Sequence, residues 1–402
     1  MAYRFGIKAF FSLLLAGIMV VGCGGPTTPP AMNQETVIGL AVNDMCDRRI
    51  VLLGETGDHG GGKALALKAA IVQELVEKCG FDTLLFEAGF YDFAKLHLEQ
   101  RENRPVSIQH ISSAIGGLWN NTAELAPLLP VLADKMNEGE LLVAGIDDNL
   151  GSAGAFYSLS QMPTDLSGLL AEELRDDCYD ELKQLIYGSY GPGGPDKSRI
   201  DPVMACLDAI SEAVSGSVDL SPVEKFIAPQ IIRNMRSFSQ RLISDQDEQR
   251  QLRENAFLDN YWWWAARRSA NSKTIIWGAS VHFAKSSKDA AGYGDSNTAG
   301  ANLHQEYGAE AFALSFSARS GTYRKFGRAD PAEIPTPDAS SFEAMFADGA
   351  GFSYAGPKFL AELGHIPAAI FQRQAVPVNL SDASDAVIVI HEERSPSALP
   401  SP

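Results

Sequence analysis

"RRIVLLGETGDHGGGKALALKAAIVQELVEKCGFDTLLFE" (residues 48–87) decides how this chain of 402 residues folds. Residues 48–54 are a short apolar run rich in β-branched and aliphatic side chains, which reads as a buried strand. Residues 63–79 carry Leu67, Ile71 and Leu75 at four-residue spacing, with Lys78 in the last turn and Gly80 just beyond, the pattern of an amphipathic helix with a glycine C-cap. Residues 81–86 are a second buried strand. Strand, helix and strand of these lengths make a βαβ unit with parallel strands. Glu55 and Glu87 directly follow the two strands, so both carboxylates reach the carboxyl edge of the sheet, where open α/β sheets bind ligands.

Later strands deliver further polar groups to that edge. Residues 140–146 end in Asp147 and Asp148, residues 273–277 run into "GASVH" and end at His282, and residues 311–317 precede Arg319. Any one such carboxylate is equally an N-cap or a solvated loop group, but the set points to one assembled site. The fold expected is α/β, with a central, mostly parallel sheet flanked by helices. A helical insertion over about 155–245 is expected to cap the cleft at the carboxyl edge.

The loop between the first strand and helix, "GETGDHGGGK" (54–63), places Glu55, Asp58 and His59 within five residues and then runs into three glycines. It lacks the spacing and trailing Ser/Thr of a phosphate-binding Walker loop, and its carboxylates repel phosphate. The glycines read as a sharp turn that admits substrate. His59 among carboxylates has its ring oriented and one tautomer held, as a general base requires.

The chain begins with Arg4 and Lys8 ahead of an apolar run from Ala9 to Val21, ending in "VVGC". This reads as a lipoprotein signal peptide (1–22) with lipid carried on Cys23, followed by a flexible tether over 23–35. Gly24 after the cysteine points to the outer membrane, so the expected location is the bacterial cell envelope, lipid-anchored on its periplasmic face. Removing the leader leaves about 380 residues, enough for one large domain over 36–392, with 393–402 read as a disordered tail. The net charge of −17 repels nucleic acid and excludes it as a partner class. Cys46, Cys79, Cys178 and Cys206 permit two disulfides in an exported chain. Neighbours in sequence suggest Cys46–Cys79 and Cys178–Cys206, and no spacing resembles a zinc site.

At Gly54-Glu55, His59-Gly60 and "GFDTLLFEAGFYD" (80–92) with Glu87, the chain resembles the erythromycin esterase family, closest to the bacterial branch with a lysine in the helix, here Lys68. The likeness continues at Trp119 and Glu124, at "AGID" (144–147), at "RENAFLDN" (253–260) and at "IIWGASVH" (275–282). The resemblance implies metal-free hydrolysis of a cyclic ester, with no cofactor, and a macrolide-type substrate linked to antibiotic resistance. His59 would deprotonate water, with Glu55 and Glu87 positioning base and water. His282 and Arg253 would bind substrate or stabilise the oxyanion. Lys68, Asp58, Trp119 and Asp147 join Arg253 as expected substrate-binding residues. Three positions depart from the family pattern: three residues rather than two separate Glu55 from His59, Ala279 and Ser280 replace a histidine-asparagine pair, and Glu254 replaces an aspartate.

Other readings compete. The Glu55, His59, Glu87 and His282 set also suits a divalent metal or a haem-binding envelope lipoprotein. "GASVH" is not a G-x-S-x-G elbow, which argues against a serine nucleophile at Ser280. Arg253, Phe257, Tyr261 and Trp264 share one helical face, so the aromatics read as core. His97, His110, His304, His365 and His391 read as structural or exposed.

Overall fold

The computed structural model describes residues 27–150, 157–188, 194–216, 221–290, 293, 297–325 and 330–399. The signal peptide and Cys23 lie outside the described residues. Among the described residues eleven strands form three sheets. They are β1 (Ile50–Glu55), β2 (Thr83–Gly89), β3 (Leu142–Asp147), β4 (Thr274–Ala279), β5 (Ala311–Ala318), β6 (Thr322–Arg324), β7 (Pro331–Glu333), β8 (Phe352–Ala355), β9 (His365–Ala368), β10 (Val376–Asn379) and β11 (Ala386–Ile390).

The main sheet runs β3-β2-β4-β1-β5-β11-β8, parallel throughout except for β8 at one edge. Every residue of β1, β2, β4 and β5 is buried, as a parallel sheet covered on both faces requires. The opening βαβ unit forms as its pattern predicts, but its strands are not neighbours. β4 lies between them, pairing Ile50 with Thr274 on one side and Thr83 with Thr274 on the other. A distant strand is thereby inserted between Glu55 and Glu87. The chain builds outward from β1 in one direction through β2 and β3, then places β5 on β1's other side. The functional edge is therefore a topological switch point, where carboxyl ends splay and leave room for a ligand.

Helix Gly62–Cys79 buries Leu67, Ile71 and Leu75 completely, worth roughly 1.5–3 kcal/mol each relative to exposure. Gly80 closes it in the left-handed region at φ 71°. The Cys46–Cys79 disulfide ties this end to helix Gln34–Met45, and Cys178–Cys206 joins two helices of the insertion. The insertion itself contains helices Tyr157–Ser160, Met162–Ser167, Glu172–Gly188, Ile200–Gly216 and Pro222–Ile243. The last of these packs on helix Gln246–Ala265 through Gln230, Asn234 and Asn260, all buried. Its Ser237 and Arg241 bond Asp148 just past the carboxyl end of β3.

Over residues 393–399 the C-terminal segment is ordered where a disordered tail over 393–402 was expected, and residues 400–402 lie outside the described residues. Residues 393–399 are held along the molecule by Glu393 to Ser320, Ala123 to Ser397 and Leu399 to Asn121, all backbone hydrogen bonds. The Pro/Ser-rich composition suggested disorder, but these backbone groups find partners in two loops far away in sequence. Among the described residues no helix is long and apolar enough to cross a membrane.

Candidate active site

Glu55 is the last residue of β1, and the loop behind it turns tightly enough to put His59 in the left-handed region at φ 52°. That turn brings His59 Nδ1 to 2.8 Å from Glu55 Oε1. The indole N–H of Trp119 donates to the same oxygen at 3.2 Å, and Lys68 forms an ion pair with Oε2. Indole has no acceptor, so Oε1 is a carboxylate acceptor and His59 donates from Nδ1–H. The basic lone pair is then on Nε2. It faces Glu87, with Oε1 at 3.9 Å. Burial pushes the imidazole below its ordinary value, against the pull of Glu87 and Asp58, so His59 is neutral at pH 7.

Glu87 sits where the β2–β3 register slips between Phe86 and Gly89, an irregularity that re-aims the side chain across the strand ends. Its Oε2 accepts the backbone N–H of Ala279 at 2.8 Å and its Oε1 accepts from Arg253 at 3.0 Å. Gly278 is required here, because a Cβ would meet the Phe283 ring at 2.2 Å and Glu87 Oε2 at 2.7 Å. Burial alone would raise the Glu87 carboxyl, but the positive charge around it, with Arg253 at 3.0 Å, outweighs this and holds it below the usual range.

His282 lies in the short helix Ser280–Phe283 after β4. Its Nδ1 meets Glu254, and its Nε2 lies 3.1 Å from Arg253 Nη1. Guanidinium only donates, so Nε2 accepts, and the imidazole is the neutral Nδ1–H tautomer. Arg253 also donates to Asp147 at 2.6 Å. Burial works against the Arg253 charge, but Asp147 and Glu87 more than offset this and raise it well above its ordinary value. Burial would likewise raise Asp147, and Arg253 and Arg241 hold it low instead.

The structure thus brings together Glu55, His59, Glu87, Asp147, Arg253 and His282. Four residues expected to bind substrate make their polar contacts within the protein. Lys68, Trp119 and Asp147 are at most 2% exposed and support Glu55 and Arg253 from behind. Lys68 lies over the Trp277 ring at 4.4 Å and donates to the Gly278 carbonyl at 3.2 Å; burial holds its ammonium well below the ordinary lysine range. Asp58 is gripped on both oxygens by Arg373, at 2.7 and 2.8 Å, and accepts the Gly60 N–H, which makes it a clamp on the loop. Arg319 is drawn away to Asp348.

The glycine run also has a different cause from the one expected. A Cβ on Gly60 would meet the Arg324 carbonyl at 2.1 Å, and one on Gly61 or Gly62 would meet Glu393 or the backbone of Arg394. The loop is packed against protein there, not opened for substrate. Sequence reasoning missed Glu254 as the partner of His282, Arg373 as the partner of Asp58, and Tyr293, whose ring meets His282 edge-on at 5.7 Å. An acidic residue beside Arg253 was the one signal available for Glu254. The five remaining histidines are outside this group: His97 bonds the Val143 carbonyl, His304 bonds Asp385 and His391 bonds Ser353.

The chain is similar in sequence and fold to several known proteins. The YbfO protein of Bacillus subtilis (strain 168) is 21% identical over 262 residues, 59% of this chain and 57% of its own length, so the match spans little more than half of that relative. A solved Bacillus cereus protein superimposes with a TM-score of 0.66 at 18% identity, covering 94% of this chain and 97% of its own. A mutant of the erythromycin esterase EreC in its open conformation superimposes with a TM-score of 0.65 at 15% identity, covering 92% and 99%. The erythromycin esterase family model matches residues 76–393, and the chain belongs to that family.

Proposed function

We propose that the protein hydrolyses an ester or lactone, with His59 as the general base and no metal. The observation that carries this is the Glu55–His59 hydrogen bond, which fixes the proton on Nδ1 and turns a neutral Nε2 toward Glu87. Nε2 takes a proton from water, and the hydroxide attacks the carbonyl carbon. The tetrahedral oxyanion draws on the Arg253 charge, and its collapse breaks the acyl C–O bond. The His59 imidazolium returns the proton to the departing alkoxide, giving acid and alcohol.

The alternative of a divalent cation fits the residues poorly. Arg253 already places a fixed positive charge among Glu87, Asp147 and His282, and its N–H occupies His282 Nε2. The His59 and His282 side chains are 9% and 6% exposed, which leaves neither ring edge open to a porphyrin plane. We further propose export and lipid anchoring at Cys23, which two disulfides within the domain support.

The test is a panel of erythromycin, other macrolides and p-nitrophenyl esters, run on wild-type and His59→Ala protein beside metal analysis and a visible spectrum. Turnover of one panel member, lost in a folded His59→Ala protein without a stoichiometric metal or a Soret band, is the expected result. Undiminished turnover in that variant would remove His59 from the mechanism.

A further inference from the structure

The C-terminal segment touches the back of both loops that support His59. Glu393 is buried and lies at the N-terminus of helix Gly62–Cys79, which has no cap of its own. Its Oε1 accepts the Lys63 N–H at 2.6 Å and its Oε2 accepts the Ala64 N–H at 3.2 Å. An anion is favourable at that position, because the first N–H groups of a helix lack partners and its dipole is positive there. The Gly62 N–H donates to the Arg394 carbonyl at 2.7 Å, and the Glu393 carbonyl accepts from Thr322. Further along, Arg394 and the Ser397 N–H bond Glu124, and Ala398 bridges to Thr122. Thr122 in turn donates to the Trp119 carbonyl at 2.7 Å. One strap of seven residues therefore anchors the loop carrying His59 and the loop carrying Trp119, the indole that shares Glu55 with it. β6 stitches the same two loops, through Arg324 N–H to Gly60 and Arg324 Nη2 to the Leu118 carbonyl.

We propose that Glu393 is a positioning residue for His59, and that the strap 393–399 sets the geometry of the base through the glycine run. This rests on the hydrolase reading for its kinetic consequence but not for its structural one. The Glu393 carboxylate bonds the backbone of Lys63 and Ala64 and not the His59 ring, so it acts through the loop that carries His59. The glycine run has no side chains to hold its own shape, and a small misplacement of a catalytic group costs up to about 10²-fold in rate.

The test compares wild type with Glu393→Gln, Glu393→Ala and a chain ending at Glu392, all checked for folding by circular dichroism. One readout needs no substrate: NMR titration of the His59 ring, assigned with His59→Ala. The groups facing that ring are Glu55, Asp58, Glu87, Asp147 and Arg253. Loosening the strap admits water, so the His59 midpoint moves up toward 6.5 in Glu393→Ala and in the shortened chain, and less in Glu393→Gln. The second readout is hydrolysis of p-nitrophenyl butyrate, where kcat falls roughly 10–10²-fold with KM little changed. A merely structural role lowers the melting temperature but leaves both readouts unmoved, and that outcome in folded Glu393→Ala overturns the proposal. Wild type that hydrolyses no ester but shows the shifted titration overturns the hydrolase reading and leaves the strap standing. Where Glu393→Ala does not fold, Glu393→Gln decides alone on the same two readouts.

Discussion

The two histidines of the site are alike up to one atom. Each has its Nδ1 on a glutamate, His59 on Glu55 and His282 on Glu254, and each is almost wholly buried. They differ at Nε2. That of His282 accepts a hydrogen bond from Arg253, while among the described residues no hydrogen bond meets Nε2 of His59, which faces Glu87 across 3.9 Å. A lone pair already engaged by a guanidinium is a poor proton acceptor, and a free one beside a carboxylate is a good one. On the proposed function, the half around His59 would move a proton and the half around His282 would hold a charge in place.

The sharpest way to break this contrast is to remove each ring. His59→Ala is expected to lower kcat by about 10²–10⁴, and His282→Ala by clearly less, since the lone pair proposed to take the proton survives. Equal losses measured on one ester in folded proteins would erase the distinction. Next in size is the charge between the halves. Arg253→Met leaves Glu87 and Asp147 buried without their cation, and urea denaturation should show a loss of up to about 3–5 kcal/mol. Unchanged stability would mean that the two carboxylates had other partners.

A pH profile refines the His59 half. Its folded value lies below 6.5, so the acid limb of kcat/KM should be centred below 6.5 and fall tenfold per unit at still lower pH. An acid limb centred above 6.5 would show that something else titrates. The smallest effect concerns a half-buried histidine with no part in the site. Burial lowers His97 to about 4, and the folded state binds fewer protons than the unfolded chain between that value and 6.5. Stability should therefore decline as pH falls through that window, by an amount attributable to His97 of at most ~3 kcal/mol. His97→Gln, which keeps a donor for the Val143 carbonyl, should flatten the decline in thermal melts.

Much of the frame was legible beforehand because it depends on local pattern. The runs at 48–54, 81–86, 140–146, 273–277 and 311–317 became β1 to β5 with shifts of a few residues at their ends. Phe257, Tyr261 and Trp264 went into the core as their shared face predicted. Roles within the site were less legible. Lys68, Trp119 and Asp58 were read as facing substrate, since sequence shows which residues gather but not which stand in front. Glu254 shows the same gap: its reach to both His282 and the Ala299 N–H exists only once helix Ala299–Tyr307 is docked.

Alternation, helix period and strand ends are properties of neighbouring residues, so the chain by itself determined the strand order along it and the edge at which Glu55, Glu87, Asp147 and His282 emerge. Tertiary structure alone decided which imidazole keeps a free nitrogen, which carboxylates are neutralised, and that a segment some 330 residues away in sequence backs the glycine loop. A proton's position depends on donors and charges within a few ångströms, and those donors arrive from elements that no local pattern connects.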